Sequence, residues 1–197
     1  MSAYLRTWVG AVFVACALAG CGGSGPSFKN TDITGADYGK DFALTDHTGK
    51  TRTLADFRGK AVVMFFGYTR CPDVCPTTLA ELKAVKEQLG EDGKRLQVLF
   101  VTVDPERDTQ KLLANYVPAF DPSFIGLYGD SAATAKVAKD FRVFYQKSPG
   151  KTPESYTVDH TAGSYVFDPQ GRLRLFVRHG NAANLAADVR VLLNASG

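Results

Sequence analysis

Two cysteines spaced four apart carry the first chemical signal in the chain. They lie in Gly67-Tyr68-Thr69-Arg70-Cys71-Pro72-Asp73-Val74-Cys75-Pro76. Pro72 and Pro76 bracket what reads as the start of a helix, where proline is tolerated because the amide has no helical partner anyway. Four-residue spacing puts Cys71 and Cys75 on one side of the first turn. Free amides and the helix dipole there favour thiolate, so the pair is expected to be acidic and reactive. Two such thiolates can chelate one soft metal ion or close a disulfide. Thiol–disulfide exchange enzymes usually carry C-x-x-C. The extra residue here opens the sulfur pair and leaves room for an ion. A merely stabilising disulfide is the weaker reading, since so small a loop removes little chain entropy.

A third ligand would have to come from His47, His160 or His179. His47 falls in a polar hairpin turn, and His179 sits beside Gly180 at the end of a strand, so both read as surface residues. His160 lies in Tyr156-Thr157-Val158-Asp159-His160-Thr161-Ala162-Gly163, just before a strand expected inside the sheet. A loop there can face the cysteine helix, although a lone histidine is as readily structural. Asp159 could orient His160 by accepting its ring N–H, or it is a solvated loop carboxylate. Asp104 reads as a turn-forming residue before Pro105.

The other two cysteines belong to the N-terminus. Arg6 is the only charge before Lys29, an apolar run extends from Trp8 to Leu18, and Leu18-Ala19-Gly20-Cys21 follows. A basic start, a short apolar core and small residues before a cut site predict a secretory signal over residues 1–20. The run is short of the about 20 residues that a membrane span needs. Leu-Ala-Gly-Cys resembles a bacterial lipobox, which implies cleavage before Cys21 and lipid on Cys21. Gly22-Gly23-Ser24-Gly25-Pro26-Ser27 then reads as part of a flexible tether over 21–31, leading to a domain at 32–197. Cys16 leaves with the signal, so only Cys71 and Cys75 remain in the domain. One close pair in an oxidising compartment is too little for a disulfide scaffold and reads as a redox or metal pair.

The elements that must position these residues follow from the pattern. The chain has 197 residues, 45% hydrophobic and 22% charged, which fits one globular domain. Its net charge of +3, with no basic stripe, argues against nucleic acid as a partner. Phe42 to Leu44 with a turn at Asp46 to Lys50 predicts a hairpin. Ala61 to Tyr68 is a continuous apolar run, suited to a strand buried on both faces, and Leu96 to Val103 reads as another buried strand. Leu79, Leu82, Val85 and Leu89 share one face of a helix over Thr77 to Leu89, which Gly90 ends. Thr109 to Phe120 and Ser131 to Phe141 read as helices, the second capped by Ser131. Phe124 to Tyr128 is a short strand. Ser164 to Asp168 and Arg172 to Val177 form a hairpin across Pro169-Gln170-Gly171, and Asn181 to Leu193 closes the chain as a helix. The sum is an α/β sandwich with a mixed central sheet flanked by helices, in a thioredoxin-like order with inserted pieces. Cys71 falls just past the carboxyl end of a strand, where open α/β sheets place their sites.

Three segments in this order, Cys71-Pro72-Asp73-Val74-Cys75-Pro76, Asp104-Pro105-Glu106-Arg107-Asp108-Thr109 and Val158-Asp159-His160-Thr161, resemble the SCO/SenC family. The resemblance covers nearly the whole domain, and the lipobox fits bacterial members. It implies that Cys71, Cys75 and His160 hold one copper ion, as Cu(I) or Cu(II). It also implies a metallochaperone serving the copper-bearing subunit of cytochrome c oxidase, with other copper chaperones or thioredoxin-like reductants as further partners. The expected location is a bacterial membrane, with the lipid-anchored domain facing the periplasm or the cell exterior. Two thiolates and an imidazole make a soft, low-coordinate set suited to Cu(I), whereas structural zinc usually takes four ligands.

Three rival readings stay open at this point. A thiol–disulfide reductase could keep the oxidase's copper-site cysteines reduced, with Cys71 or Cys75 attacking and the other resolving. Peroxide removal shares the fold class but needs a lone attacking cysteine. A purely structural lipoprotein has nothing in the sequence to favour it.

Overall fold

The two strands read as buried become the centre of the protein. In the computed structural model, which describes residues 27–152 and 155–195, they form β4 (Ala61–Gly67) and β5 (Leu96–Thr102), with every residue of both buried. They pair in parallel, from Ala61 opposite Leu96 to Gly67 opposite Thr102. The sheet extends outward through β1 (Thr31–Asp32), β2 (Ala43–Asp46), β3 (Thr51–Thr53), β6 (Ile125–Tyr128), β9 (Gly163–Phe167) and β10 (Leu173–Arg178). Its eight strands run in the order β1-β10-β9-β4-β5-β6-β2-β3. β9 lies antiparallel to β4, and β6 parallel to β5, so the sheet is mixed. A separate two-stranded ladder joins β7 (Tyr145–Ser148) to β8 (Thr157–His160).

Four helices cover the sheet: α1 (Val74–Leu89), α2 (Gln110–Tyr116), α3 (Ser131–Asp140) and α4 (Leu185–Asn194). α1 buries Leu79, Leu82, Val85 and Leu89, the face read from their spacing, and it packs beside α4. Its N-cap residue is Asp73, so the helix starts three residues ahead of the expected Thr77. α3 is capped by Asp130, whose carboxylate accepts from the Ala133 amide at 2.7 Å, rather than by Ser131.

Two further departures bear on the site. The expected signal over 1–20, the lipidated Cys21 and the tether up to residue 26 lie outside the described residues. The folded part begins earlier than residue 32. The Lys29 and Asn30 amides donate to the buried Asp188 carboxylate of α4 at 2.8 and 2.9 Å, and the Asn30 side chain adds a bond of 2.8 Å. The second departure is β7–β8, which gives no sequence signal. It is mostly polar and its strands pair only with one another. His160 therefore ends a strand of this small ladder and is not in an open loop.

Candidate metal centre

The cysteines are placed by the end of β4 and the start of α1. Gly67 closes β4 where the backbone, the Phe100 ring and the Cys75 sulfur crowd together. A Cβ on Gly67 would fall 2.8 Å from Phe100 and 2.9 Å from Cys75 Sγ. Tyr68, Thr69 and Arg70 then lead to Cys71, which precedes the helix and is half-buried. The Cys75 amide, in the first turn of α1, points its N–H at Cys71 Sγ across 3.4 Å. The free amide at the helix end thus faces Cys71 and not Cys75. Cys75 behaves differently. Burial pushes its thiol well above the ordinary value, and the neighbouring Cys71 adds to the rise. The expectation of an acidic pair fails at Cys75 because its side chain is fully enclosed, with 0% exposure.

His160 meets the cysteines from the other side. Its Nε2 lies 3.6 Å from Cys75 Sγ, and its Nδ1 lies 3.1 Å from the Thr161 carbonyl oxygen. A carbonyl can only accept, so Nδ1 carries the ring proton and Nε2 presents the lone pair. Burial lowers the imidazole pKa, which keeps the ring neutral at neutral pH and available as a ligand. The Tyr68 and Phe65 rings hold it edge-on, with centroids 6.0 and 6.1 Å away. The ligand atoms of Cys71, Cys75 and His160 all lie within 4.8 Å of one another. Both cysteines are free thiols. One side opens into a cleft of about 310 Å³ lined by Tyr68, Cys71, Pro72, Val158 and His160.

The other candidates lie elsewhere. His47 is half-buried and accepts the Gly126 amide on Nδ1 at 3.0 Å, tying the first hairpin to β6. His179 is exposed, with Nδ1 3.0 Å from the Thr78 hydroxyl. The Asp159 carboxylate accepts the Ser148 hydroxyl at 2.5 Å. It does not orient the His160 ring, since alternation along β8 turns the two side chains to opposite faces. The Thr161 carbonyl takes that part instead.

Sequence reasoning undervalued the segment after β5. Asp104 does make a turn, accepting the Arg107 and Asp108 amides on its carbonyl. Its carboxylate, 0% exposed, also pairs with Arg107 Nε at 2.5 Å and accepts the Tyr156 hydroxyl at 2.7 Å. Asp108, equally enclosed, accepts from the Thr69 amide at 3.0 Å, the Thr69 hydroxyl at 2.6 Å and the Thr102 hydroxyl at 2.6 Å. Three charged residues in a row after a buried strand were the available signal.

Two thiol sulfurs and a neutral imidazole nitrogen at this spacing suit a soft cation of low coordination number. A structural zinc site would want a fourth donor. The comparisons agree with the geometry. The family described as SCO1/SenC matches residues 30–194. A mitochondrial SCO2 homolog of Bos taurus is 41% identical over 150 residues, which is 75% of this chain and 56% of that protein. The chain thus spans little more than half the length of that relative. The structure of Bradyrhizobium japonicum ScoI with copper bound superposes with a TM-score of 0.72 at 42% identity, over 80% of this chain and 99% of that one. The apo Sco1 protein of Thermus thermophilus gives 0.73 at 44% identity, over 89% and 100%. The mixed sheet flanked by helices is thus the thioredoxin-like arrangement expected from the sequence.

Proposed function

The chain belongs to the SCO1/SenC family, and on that premise we propose that it holds one copper ion between Cys71, Cys75 and His160 and delivers it to the copper-bearing subunit of cytochrome c oxidase. The observation that carries this reading is the convergence of three soft or borderline ligand atoms within 4.8 Å. The open cleft beside Cys71 gives a partner's cysteine a way in, so the ion can pass by exchange of ligands. Both sulfurs must be deprotonated to bind, so uptake displaces a proton from Cys75. Oxidation of the pair to a disulfide removes both thiolates and expels the ion. On the same reading the domain is a bacterial lipoprotein held by lipid on Cys21 and facing the periplasm or the cell exterior. Among the described residues, no helix is long and apolar enough to cross a membrane.

The close approach of His160 to Cys75 is the observation behind a second reading. Nε2 lies 3.6 Å from Cys75 Sγ, within reach of its proton, although burial lowers the imidazole and raises the thiol against that transfer. The pair would then reduce a disulfide in the oxidase and become oxidised itself.

The test is an anaerobic Cu(I) titration of the reduced chain against a competing chelator. One tight ion per chain is expected, with tight binding lost in Cys71→Ala, Cys75→Ala and His160→Ala alike, and only the weaker hold of the two thiolates left in His160→Ala. His160→Ala should also block oxidase assembly. A His160→Ala protein that still supports assembly would overturn delivery and leave the reductase.

A further inference from the structure

The hairpin that carries His160 joins the body of the protein through side chains and not through the large sheet, with Val158 of β8 buried in the core. β7 and β8 pair with each other and with no strand of the large sheet. The loop after β5 reaches across to it. Arg107 Nη1 donates to the Tyr156 carbonyl at 2.8 Å, and the guanidinium stacks 3.5 Å from the centroid of the Tyr156 ring. The Tyr156 hydroxyl donates to Asp104 at 2.7 Å. Lys147 of β7 pairs with Glu106 at 2.6 Å, but both side chains are about half exposed, so that contact is weak. The Asp104–Arg107 pair is not. Its side chains are 0% and 10% exposed, and charge-assisted bonds in so dry a place are short and directional. Tyr156 lies four positions before His160. Asp108, in the same loop, holds Thr69 on the cysteine side. One short loop therefore grips both segments that carry ligands.

We infer that Asp104 and Arg107 are positioning residues: by holding Tyr156 they set where His160 stands against the cysteine sulfurs. The inference rests on the copper reading of this centre. Loosening the pair lets the hairpin and its imidazole draw back. The sulfurs stay, because β4, α1 and Asp108 hold them independently of Tyr156.

The two ligand sources can be separated by experiment. Cu(I) competition is measured for Arg107→Lys and Tyr156→Phe, each in the otherwise unchanged chain and in His160→Ala. Lysine keeps the charge beside Asp104 but cannot bridge to the Tyr156 carbonyl and stack on its ring together. Phenylalanine keeps the ring and drops only the bond to Asp104. Arg107→Lys should weaken copper about tenfold, the usual scale for a residue that supports a ligand, and Tyr156→Phe by less. In His160→Ala neither change should weaken copper further. Equal losses in both backgrounds, or no loss in either, would overturn the inference. If His160→Ala itself binds as tightly as the unchanged chain, the ligand assignment is wrong and the inference falls with it. Thermal unfolding of each metal-free variant confirms that it is folded.

Discussion

Replacing Asp108 by alanine should cost the domain about 3 kcal/mol, because a buried charged acceptor is removed from under three donors. The two threonine hydroxyls can turn elsewhere, but the Thr69 amide is left facing a void. For a domain of this size the melting temperature should fall by roughly 6–12 °C. Copper affinity should fall with it, since Thr69 begins the loop that delivers Cys71. Asp108→Asn gives the finer test. Burial raises the Asp108 carboxyl, although hydrogen bonds from Thr102 and Thr69 pull it part of the way back. A raised folded pKa means that the folded state keeps this proton to higher pH than the unfolded chain does. Stability from this group is therefore full below the ordinary value of 3.8 and is lost as pH rises through the folded value. Asparagine is neutral throughout. Urea unfolding of both proteins should show the natural chain losing ground to Asp108→Asn as pH rises through that window. Parallel curves would mean that Asp108 ionises as freely in the fold as outside it.

Gly67→Ala should damage both the core and the metal centre with a single methyl group. The new carbon meets Phe100 at 2.8 Å, Cys75 Sγ at 2.9 Å and Phe65 at 3.0 Å. All three belong to the packed core, with exposures of 0%, so none can swing out to solvent. Overpacking of this kind costs about 2 kcal/mol. The sulfur is the least constrained of the three neighbours, and its displacement moves a ligand. Copper affinity should drop at least about tenfold, the scale of a disturbed ligand position. Thermal unfolding and chelator competition on one preparation check both parts. A variant that loses stability yet binds copper normally would show that the Phe100 ring, not the sulfur, gives way.

Sequence alone reached the parts of this fold that leave a long or chemically specific trace. A seven-residue apolar run announces β4, and a mostly apolar one announces β5, because a strand covered on both faces has little room for polar side chains; Gln97 and Thr102 are admitted only with hydrogen-bond partners. The leucine spacing announces α1. The cysteine pair is visible because two thiols four apart, each followed by a proline, have few other uses. His160 is a different case. Spacing left it open, and only its place in three ordered segments singled it out. Its strand went unseen because β7 and β8 are short and polar, and pair only with each other. Contacts that depend on distant chain were also invisible. The clasp of Asn30 on Asp188 spans 158 residues, and the reach of Arg107 to Tyr156 spans 49. Burial of Cys75 belongs to the same class. The helix end favours thiolate locally, but the side chains that enclose the sulfur come from β4 and β5.

Cys75 and His160 stand 85 residues apart, one in the first turn of α1 and one at the end of the β7–β8 ladder. An ion gripped by all three side chains is thus a cross-link. It closes a loop nearly as long as half the domain and removes the open-chain freedom of everything between. By the loop-entropy relation for disulfides, a tie of that span is worth about 4.5 kcal/mol. On the delivery reading proposed above, a protein that has handed on its ion would be a looser molecule than one still carrying it. The cargo would fasten its own carrier, and unloading would undo the fastening.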